Sequence, residues 1–350
     1  MDAYIGALCN ELRLRREYLP SRKIDSVYIG GGTPSLLGME SLHRIFDTID
    51  RAYSLQDNAE VTIEVNPDDV TSTYVASLKN TPINRVSIGV QSFDDNILKF
   101  LNRRHTGEAA QRAVENFWQE GFSNISVDLI YGIPGQTVAC FGKDIEKALS
   151  LPVTHLSSYS LMYEEGTLLT KSLRQNKIHE KKEEEVLEMF YLLKDKLERC
   201  GWEHYEISNF CKPNYRAKHN SGYWKEMYYL GCGPSAHSYN HVSRCWNKSS
   251  LKEYIEADGD VEGFHLQEKE ILTDVTRRNE WVMKSLRTKE GIDLNAFSKT
   301  FGDSSKETLL VWAKTALDHG KLILQDNHLR LTREGIFISD SIMSDLMETD

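Results

Sequence analysis

A run of three glycines and a set of polar side chains give this chain its clearest potential for chemistry. The glycines are Gly30, Gly31 and Gly32, followed by Thr33, and the polar side chains are Glu64, Gln91, Arg103 and Asp128. Glycine lets a ligand approach the backbone closely and exposes N–H and C=O groups. A zwitterionic amino acid joined to a nucleoside needs a carboxylate for its ammonium, a guanidinium for its carboxylate and acceptors for its ribose hydroxyls. These residues together favour such a ligand.

Simpler interpretations exist for each of these residues alone. A tight turn would explain the glycines, and each charged side chain could form an ion pair at the rim of a barrel. The glycine run contains neither GxxxxGK[ST] nor a GxGxxG that opens a helix. A phosphate loop and a Rossmann site are therefore not predicted, although an ordinary α/β enzyme for another nucleotide remains an alternative.

The polar residues fall at or near the ends of predicted strands. Short β-branched runs occur at residues 24–29, 60–65, 84–90, 124–130, 155–161 and 203–208, and helical patterns at 41–52, 94–101, 107–120 and 141–149. Alternating strands and helices predict a parallel sheet, in a TIM-like barrel or a doubly wound fold. In both folds the carboxyl ends of the strands carry the active site.

The C-terminal part has a different pattern. Helices are predicted at 268–286 and 305–319, then a hairpin of 322–324 and 329–331 around Asp326 and Asn327, then a helix from about Thr332. A charge run at 180–185 also opens a helix with one apolar face. Helices followed by a hairpin predict a small winged-helix-like domain, for which packing is favoured over DNA binding.

Composition narrows the class of partner. The 350 residues carry 42 basic and 52 acidic side chains, a net charge of −10, with no basic stripe, so nucleic acid is not expected as a partner. No apolar stretch is long enough for a transmembrane helix, and the N-terminus shows no export signal, so a cytoplasmic protein is expected. The cysteines form no CxxC or CxxxC, which predicts reduced, mostly buried thiols.

Eight ordered motifs resemble one family. They are YIGGGTPSLL, VTIEVNPDDV, RVSIGVQSFDDNILKFLNRRHT, ISVDLIYGIPGQT, HLSSYSLMYEEGT, YEISNF, HNSGYW and YLGCGPSAHSY. The chain resembles radical S-adenosylmethionine proteins of the oxygen-independent coproporphyrinogen III oxidase type, and most closely their HemW branch of haem chaperones. The resemblance implies an incomplete TIM-like (β/α)6 radical-SAM barrel at residues 1–210, a connecting segment at 211–255 and a mainly helical C-terminal domain of the HemN type at 256–350.

The resemblance also implies roles for the polar residues. Gly31, Gly32 and Thr33 would surround the methionine end of S-adenosylmethionine, with Glu64 at its amino group. Arg103 would pair with its carboxylate, Gln91 and Asp128 would hold its ribose, and Ser160 would lie beside it.

The cluster motif of the family is missing from this chain. Radical-SAM proteins bind a [4Fe–4S] cluster through CxxxCxxC, and the six cysteines here contain no such spacing. Either this sequence starts after that motif or this homologue has lost the cluster. The surviving cofactor-side residues favour the first explanation, and this chain is expected to be inactive in radical chemistry.

The HNSGYW segment points to haem. The resemblance assigns His219 as a candidate ligand of haem iron, and Tyr223 and Trp224 as flat rings for the porphyrin face. His237 in GPSAHS is a weaker candidate. The expected function is binding of haem and its transfer to acceptor proteins. The alternative is oxidative decarboxylation of coproporphyrinogen III.

Overall fold

The structure, a computed structural model, describes residues 1–348. The chain divides into two compact units. The central unit comprises Tyr28–Leu36 and Val61–Ala217, and the terminal unit comprises Met1–Val27, Leu37–Glu60 and the chain from Lys218 onward. No helix among the described residues is long and apolar enough to cross a membrane.

A seven-stranded sheet, counted over the described residues, has the order β1-β2-β3-β4-β5-β7-β6. Its strands are β1 (Lys23–Ile29), β2 (Ser54–Val65), β3 (Arg85–Gln91), β4 (Asn124–Tyr131), β5 (His155–Ser160), β6 (Glu203–Glu206) and β7 (Asn209–Cys211). The helices up to residue 199 are α1 (Asp2–Leu14), α2 (Met39–Ala52), α3 (Ser72–Leu78), α4 (Asp95–Phe100), α5 (Gly107–Gln119), α6 (Val138–Ser150), α7 (Leu168–Arg174) and α8 (Glu183–Arg199). The predicted α/β fold is confirmed.

Strands β2 to β5 of the sheet pair in parallel. Along them, side chains alternate between a face that carries polar groups and a face of buried apolar groups. Register places Glu64 opposite Ser87, and Asp128 opposite Ser157, on the first of these faces. We call it the polar face. The other face carries residues such as Ile63, Ile88, Val127 and Leu156, all fully buried.

One strand of this sheet lay outside the sequence prediction. The segment predicted at 203–208 forms β6, and the chain then turns back as β7, which pairs antiparallel with both β6 and β5. With only three residues, β7 is too short for an alternating pattern to reveal it.

The terminal unit contains the rest of the chain. Its further elements are α9 (Lys218–Trp224), β8 (His237–Tyr239), β9 (Ser243–Asn247), α10 (Leu251–Glu256), β10 (Gln267–Ile271), α11 (Asp274–Leu286), β11 (Ile292–Asp293), α12 (Leu294–Phe301), α13 (Asp303–Asp318), β12 (Leu322–Gln325), β13 (His328–Leu331), α14 (Arg333–Phe337) and α15 (Ser339–Asp345). The predicted hairpin is β12–β13, and β11 joins it as a third strand. Helices and hairpin agree with the predicted C-terminal architecture.

The helix predicted at 268–286 begins later than expected. Residues 267–271 form β10, which pairs antiparallel with β9, and the helix starts after Thr273, whose hydroxyl accepts a hydrogen bond from the Thr276 amide. Pairing with a distant strand outweighs the helix propensity of Glu and Lys here. All six cysteines are free, as predicted, with Cys9, Cys211 and Cys245 buried and Cys200 exposed.

A fully buried carboxylate holds the terminal unit together. Glu11 on α1 accepts hydrogen bonds from Arg15 Nη1 at 3.0 Å and Asn247 Nδ2 at 2.8 Å through one oxygen. Its other oxygen accepts from the Gly233 amide and the Tyr254 hydroxyl, each at 2.7 Å. Four donors on one carboxylate join α1 to three sequence-distant segments.

Replacement of Glu11 by alanine is expected to destabilise the protein by about 3–5 kcal/mol, because it leaves the buried Arg15 charge unpaired. Urea unfolding followed by circular dichroism measures this loss. Glu17→Ala is the control, since Glu17 is 68% exposed and its ion pair with Arg22 contributes at most about 1 kcal/mol. Similar losses in both variants would contradict the role assigned to Glu11.

Candidate functional site

The glycine loop after β1 is fastened to β2 by Glu64. The Gly31 amide donates to Glu64 Oε2 at 3.0 Å, and the Tyr28 hydroxyl donates to Oε1 at 2.6 Å. Gly31 and Gly32 have φ angles of 79° and 63°, in the left-handed region that favours glycine. Open space lies where their side chains would be. The loop therefore offers backbone groups and a carboxylate to a ligand.

A second set of contacts positions the end of this loop. Thr33 accepts a hydrogen bond from the Leu36 amide at 3.1 Å, so it opens the short 3-10 turn Pro34–Leu36. Within that turn, the Ser35 hydroxyl donates to Asp69 Oδ2 at 2.6 Å, and the Asn66 amide donates to Ser35 Oγ at 3.3 Å. Thr33 is thus placed beside the carboxyl end of β2.

Arg103 and Gln91 meet around Gly89 on β3. Arg103 Nη2 donates to Asn66 Oδ1 at 2.8 Å and to the Gly89 carbonyl at 3.0 Å. Gln91 lies at an irregularity of β3 with φ 66°, and a Cβ on Gly89 would meet its Nε2 at 3.1 Å. Burial lowers the pKa of Arg103, whereas the nearby Asp68 carboxylate acts in the opposite direction. The Arg103 guanidinium stays charged and can form an ion pair with the carboxylate of a ligand.

Asp128 lies on the polar face of β4. Ser87 Oγ donates to its Oδ1 at 3.3 Å. Burial and the Glu64 carboxylate raise the pKa of Asp128, the Arg85 charge and the Ser157 and Ser87 hydroxyls lower it, and the resulting pKa is about 6. Ser87 on β3 lies between Asp128 on β4 and Glu64 on β2.

Ser160 is the cofactor candidate that lies apart. It pairs in register with Tyr131, three positions after the Asp128–Ser157 pair, and an odd offset directs its side chain to the face opposite Asp128. Its Oγ is 3.5 Å from where a Cβ of Gly132 would be. The structure thus brings the glycine loop, Glu64, Gln91, Arg103 and Asp128 to one end of the polar face, without Ser160.

The haem candidates lie on α9, whose start is capped by a buried carboxylate. Glu60 is 5% exposed and accepts hydrogen bonds from the Lys218 and His219 amides at 2.9 and 3.0 Å. A carboxylate at a helix N-terminus satisfies amides that have no partner in the helix. Glu60 is therefore a positioning residue for His219.

Both ring nitrogens of His219 are hydrogen-bonded. Nδ1 lies 3.0 Å from Ser26 Oγ, and Nε2 lies 2.9 Å from the Tyr223 hydroxyl one helical turn later. In the tautomer protonated at Nδ1, the ring donates to Ser26 and accepts from Tyr223. Burial raises the pKa of Tyr223 to about 12, so this hydroxyl keeps its proton. His219 Nε2 then carries the lone pair that a metal ligand needs.

Trp224, the last residue of α9, lies near Arg287, and each carries a buried N–H donor. Its indole Nε1 is buried and has no hydrogen-bond partner among the described residues, and the same holds for Nε of Arg287. The Arg287 guanidinium lies 5.4 Å from the centroid of the Trp224 ring. Two N–H donors are therefore buried close together without acceptors.

His237 lies in a different setting. It is exposed on β8 and stacks on Trp246, with the ring centroids 5.8 Å apart. No group of three or more His, Cys, Asp or Glu residues able to hold a metal occurs around it or elsewhere in residues 1–348. Sequence reasoning missed five contributing residues. Tyr28 and Asn66 lie within quoted motifs but had no role assigned, and no motif or spacing marks Ser26, Glu60 or Arg287.

Comparison with known proteins identifies the family. Residues 10–148 match the radical SAM superfamily and residues 272–338 match the HemN C-terminal domain. The heme chaperone HemW of Lactococcus lactis is 32% identical over 100% of this chain and 90% of that protein, and HemW of Bacillus subtilis is 31% identical over 98% and 90%. The chain belongs to the HemW family of radical SAM proteins.

Two further comparisons concern the radical SAM domain and the fold. A mitochondrial protein of Danio rerio, radical S-adenosyl methionine domain-containing protein 1, is 31% identical over 93% of this chain and 76% of its own length. The structure of coproporphyrinogen III oxidase (HemN) from Escherichia coli matches with a TM-score of 0.83 at 22% identity, covering 99% of this chain and 83% of that one. This likeness shows the fold. The resemblance inferred from the motifs is confirmed.

The raised pKa of Asp128 predicts how stability depends on pH. Because the folded state binds this proton more tightly than the unfolded chain, the associated stabilisation is present below about pH 4 and is lost as the pH rises through about 6. Asp128→Asn removes the titration, so the variant should gain up to about 3 kcal/mol relative to the natural chain between acid and neutral pH. Urea unfolding at several pH values measures the difference, and a pH-independent difference would contradict it.

Proposed function

We propose that this chain binds haem at α9 and passes it to haem-accepting proteins. The observation that carries the proposal is the His219 imidazole, held by Ser26 at Nδ1, with Nε2 hydrogen-bonded to the Tyr223 hydroxyl. A hydrogen bond at one ring nitrogen orients the other toward a metal, as in many metal-binding histidines. The heme chaperone function of the HemW relatives supports the same assignment.

Two buried N–H donors near the C-terminal end of α9 suit the rest of the haem molecule. Haem carries two propionate carboxylates and a flat apolar ring. Trp224 Nε1 and Arg287 Nε are buried N–H groups that need an acceptor, and a carboxylate would supply one. The rings of Tyr223 and Tyr229, 4.8 Å apart at their centroids, offer apolar surface in the same segment.

Tyr223 gives this site a means of release. Its hydroxyl forms a hydrogen bond with His219 Nε2, so the imidazole has a partner in the absence of haem. An iron–imidazole bond would displace that hydrogen bond, and loss of haem would restore it. This exchange lowers the cost of releasing haem and suits a carrier better than a permanent haem protein.

Haem titration followed by the Soret band tests the assignment. His219→Ala should weaken haem binding about tenfold or more, whereas Tyr223→Phe should strengthen it about fivefold, because it removes a competing hydrogen bond of about 1 kcal/mol. His237→Ala is the matched control and should bind haem like the natural chain. Loss of binding in the His237 variant alone would move the site to β8, and unchanged binding in both histidine variants would remove histidine ligation.

We further infer that S-adenosylmethionine binds at the glycine loop. The donor set fits it: Glu64 would hold the ammonium group, Arg103 the carboxylate, and Gln91 and Asp128 the ribose hydroxyls, with open space beyond Gly31 and Gly32. Elsewhere in the family this cofactor supplies a radical when bound to the cluster.

The residues of this chain do not fit the [4Fe–4S] cluster. No CxxxCxxC occurs in the sequence, and no group of metal-binding side chains is present in the described part of the chain. The described residues therefore offer polar groups to S-adenosylmethionine and no cysteine set for a [4Fe–4S] cluster.

Binding of the cofactor to this chain is expected to be weak and to depend on Glu64 and Arg103. Glu64→Gln and Arg103→Gln should each reduce the affinity about tenfold or more, because each removes one charged partner of the amino-acid end. Isothermal titration calorimetry measures the affinity, and Arg112→Gln on α5, whose side chain is 59% exposed, is the control. Equal affinities in the natural chain and Glu64→Gln would place the cofactor elsewhere.

A further inference from the structure

Gln91 lies at the centre of a strained turn at the end of β3. The Ser92 amide donates to the Val90 carbonyl at 2.9 Å, which closes a γ-turn around Gln91. The φ angle of Gln91 is 66°, and a γ-turn with a positive φ at its central residue is the rare, strained form. Strained backbone of this kind persists only where the surrounding structure enforces it, and it is concentrated at binding sites. Neighbouring contacts must therefore hold Gln91 in this conformation.

The turn changes the face of the sheet to which Gln91 belongs. One extra residue of β3 precedes the pair Gln91–Leu129, which makes a β-bulge in the ladder with β4. Leu129 is fully buried on the apolar face, and alternation alone would place Gln91 on that face with it. Instead, Gln91 Nε2 lies 3.1 Å, and Arg103 Nη2 3.5 Å, from where a Cβ on Gly89 would be. The strained turn thus brings the Gln91 amide to the polar face, beside the Arg103 guanidinium.

Asp144 on α6 holds the two residues that follow Gln91. Its Oδ2 accepts from the Ser92 hydroxyl and its Oδ1 from the Phe93 amide, each at 2.7 Å. Asp144 is 2% exposed and Ser92 is fully buried, so water does not compete for these bonds. Burial raises the pKa of Asp144 to about 6, although the Ser92 and Phe93 donors lower it. Hydrogen bonds to a carboxylate are stronger than neutral ones, so the ionised side chain fixes this end of the turn.

His105 holds the residue that precedes Gln91. Its Nε2 lies 3.0 Å from the Val90 carbonyl, and since a carbonyl only accepts, Nε2 carries the proton and donates. Its Nδ1 is buried without a hydrogen-bond partner among the described residues, and burial lowers the pKa of His105, so the ring is neutral. The carbonyl that closes the γ-turn is thus fixed from the segment between α4 and α5.

We propose that Asp144 is a positioning residue for Gln91: by holding the γ-turn, it directs the Gln91 amide to the ribose of S-adenosylmethionine. The inference rests on the cofactor site proposed above and adds to it a residue that acts through another. Without this hold, the strained turn relaxes toward ordinary extended backbone, in which alternation returns Gln91 to the side of Leu129. Asp144 therefore affects the affinity for the cofactor only while the Gln91 side chain is present.

Urea unfolding tests the hold on the turn without any cofactor. Gln91→Gly should be more stable than Gln91→Ala, because glycine adopts a positive φ without strain. Asp144→Asn keeps the shape of the side chain but turns an NH₂ group toward one of the two donors, which loosens the turn. The advantage of glycine over alanine at position 91 should therefore shrink in the Asp144→Asn background. It should persist with Glu146→Gln, a control on the same helix whose side chain is 65% exposed.

Isothermal titration calorimetry with S-adenosylmethionine tests the link to the cofactor. Titrations are run at about pH 8, where Asp144 and Asp128 are both ionised. Gln91→Ala and Asp144→Asn should each weaken binding about threefold to fivefold, and Glu146→Gln should bind like the natural chain. The double variant of Gln91 and Asp144 should bind no more weakly than Gln91→Ala alone, because the two residues act as one unit.

The two measurements separate this inference from the cofactor site on which it rests. Equal affinities in the natural chain and Gln91→Ala would overturn the assignment of Gln91 to the ribose, and with it the effect of Asp144 on binding. A further loss of affinity when Asp144→Asn is added to Gln91→Ala would show a general structural role and contradict positioning through Gln91. A glycine advantage that Asp144→Asn leaves unchanged would likewise overturn the hold on the turn.

Discussion

A buried carboxylate must be supplied with donors, and this chain repeatedly supplies them from its own backbone. Glu60 takes the amides that begin α9, and Glu11 takes the Gly233 amide. Asp144 on α6 does the same with the Phe93 amide at 2.7 Å. In each case a carboxylate on a regular element fixes a loop or a helix start, because leaving either partner alone would bury an unsatisfied charge or amide. The half-buried Glu64 holds the Gly31 amide of the glycine loop in the same way. The functional segments depend on this interaction for their position.

On the polar face of the central sheet, buried charged groups are only partly compensated by hydrogen bonds and opposite charges. Burial raises the pKa of Asp128 to about 6, although the Arg85 charge and two serine hydroxyls act to lower it. In an ordinary core, such groups are fully paired or replaced by apolar side chains. Retaining them costs stability, which agrees with the cofactor site proposed at the carboxyl end of this face.

Much of this organisation could be predicted from the sequence, and the reason for each failure is physical. Strands β1 to β5 and the placement of Glu64, Gln91 and Asp128 at their carboxyl ends follow from β-branched runs and strand polarity. Glu60 and Ser26 could not be found, because they reach His219 across 159 and 193 residues of sequence. The strand at 267–271 was missed since its partner β9 decides its conformation. Ser160 was placed by resemblance alone, and strand alternation directs it away from Asp128.

The haem site proposed on α9 has hydrogen-bond partners at one end and lacks them at the other. His219 has a partner on each ring nitrogen, whereas Trp224 Nε1 and Arg287 Nε have none among the described residues. Haem at the imidazole would therefore exchange one hydrogen bond for an iron bond, whereas propionates at the two N–H donors would add interactions. On this proposal, most of the binding free energy would come from the periphery of the haem. An acceptor protein that competes first for those peripheral groups would leave only the iron bond to be exchanged, and the Tyr223 hydroxyl is placed to replace it.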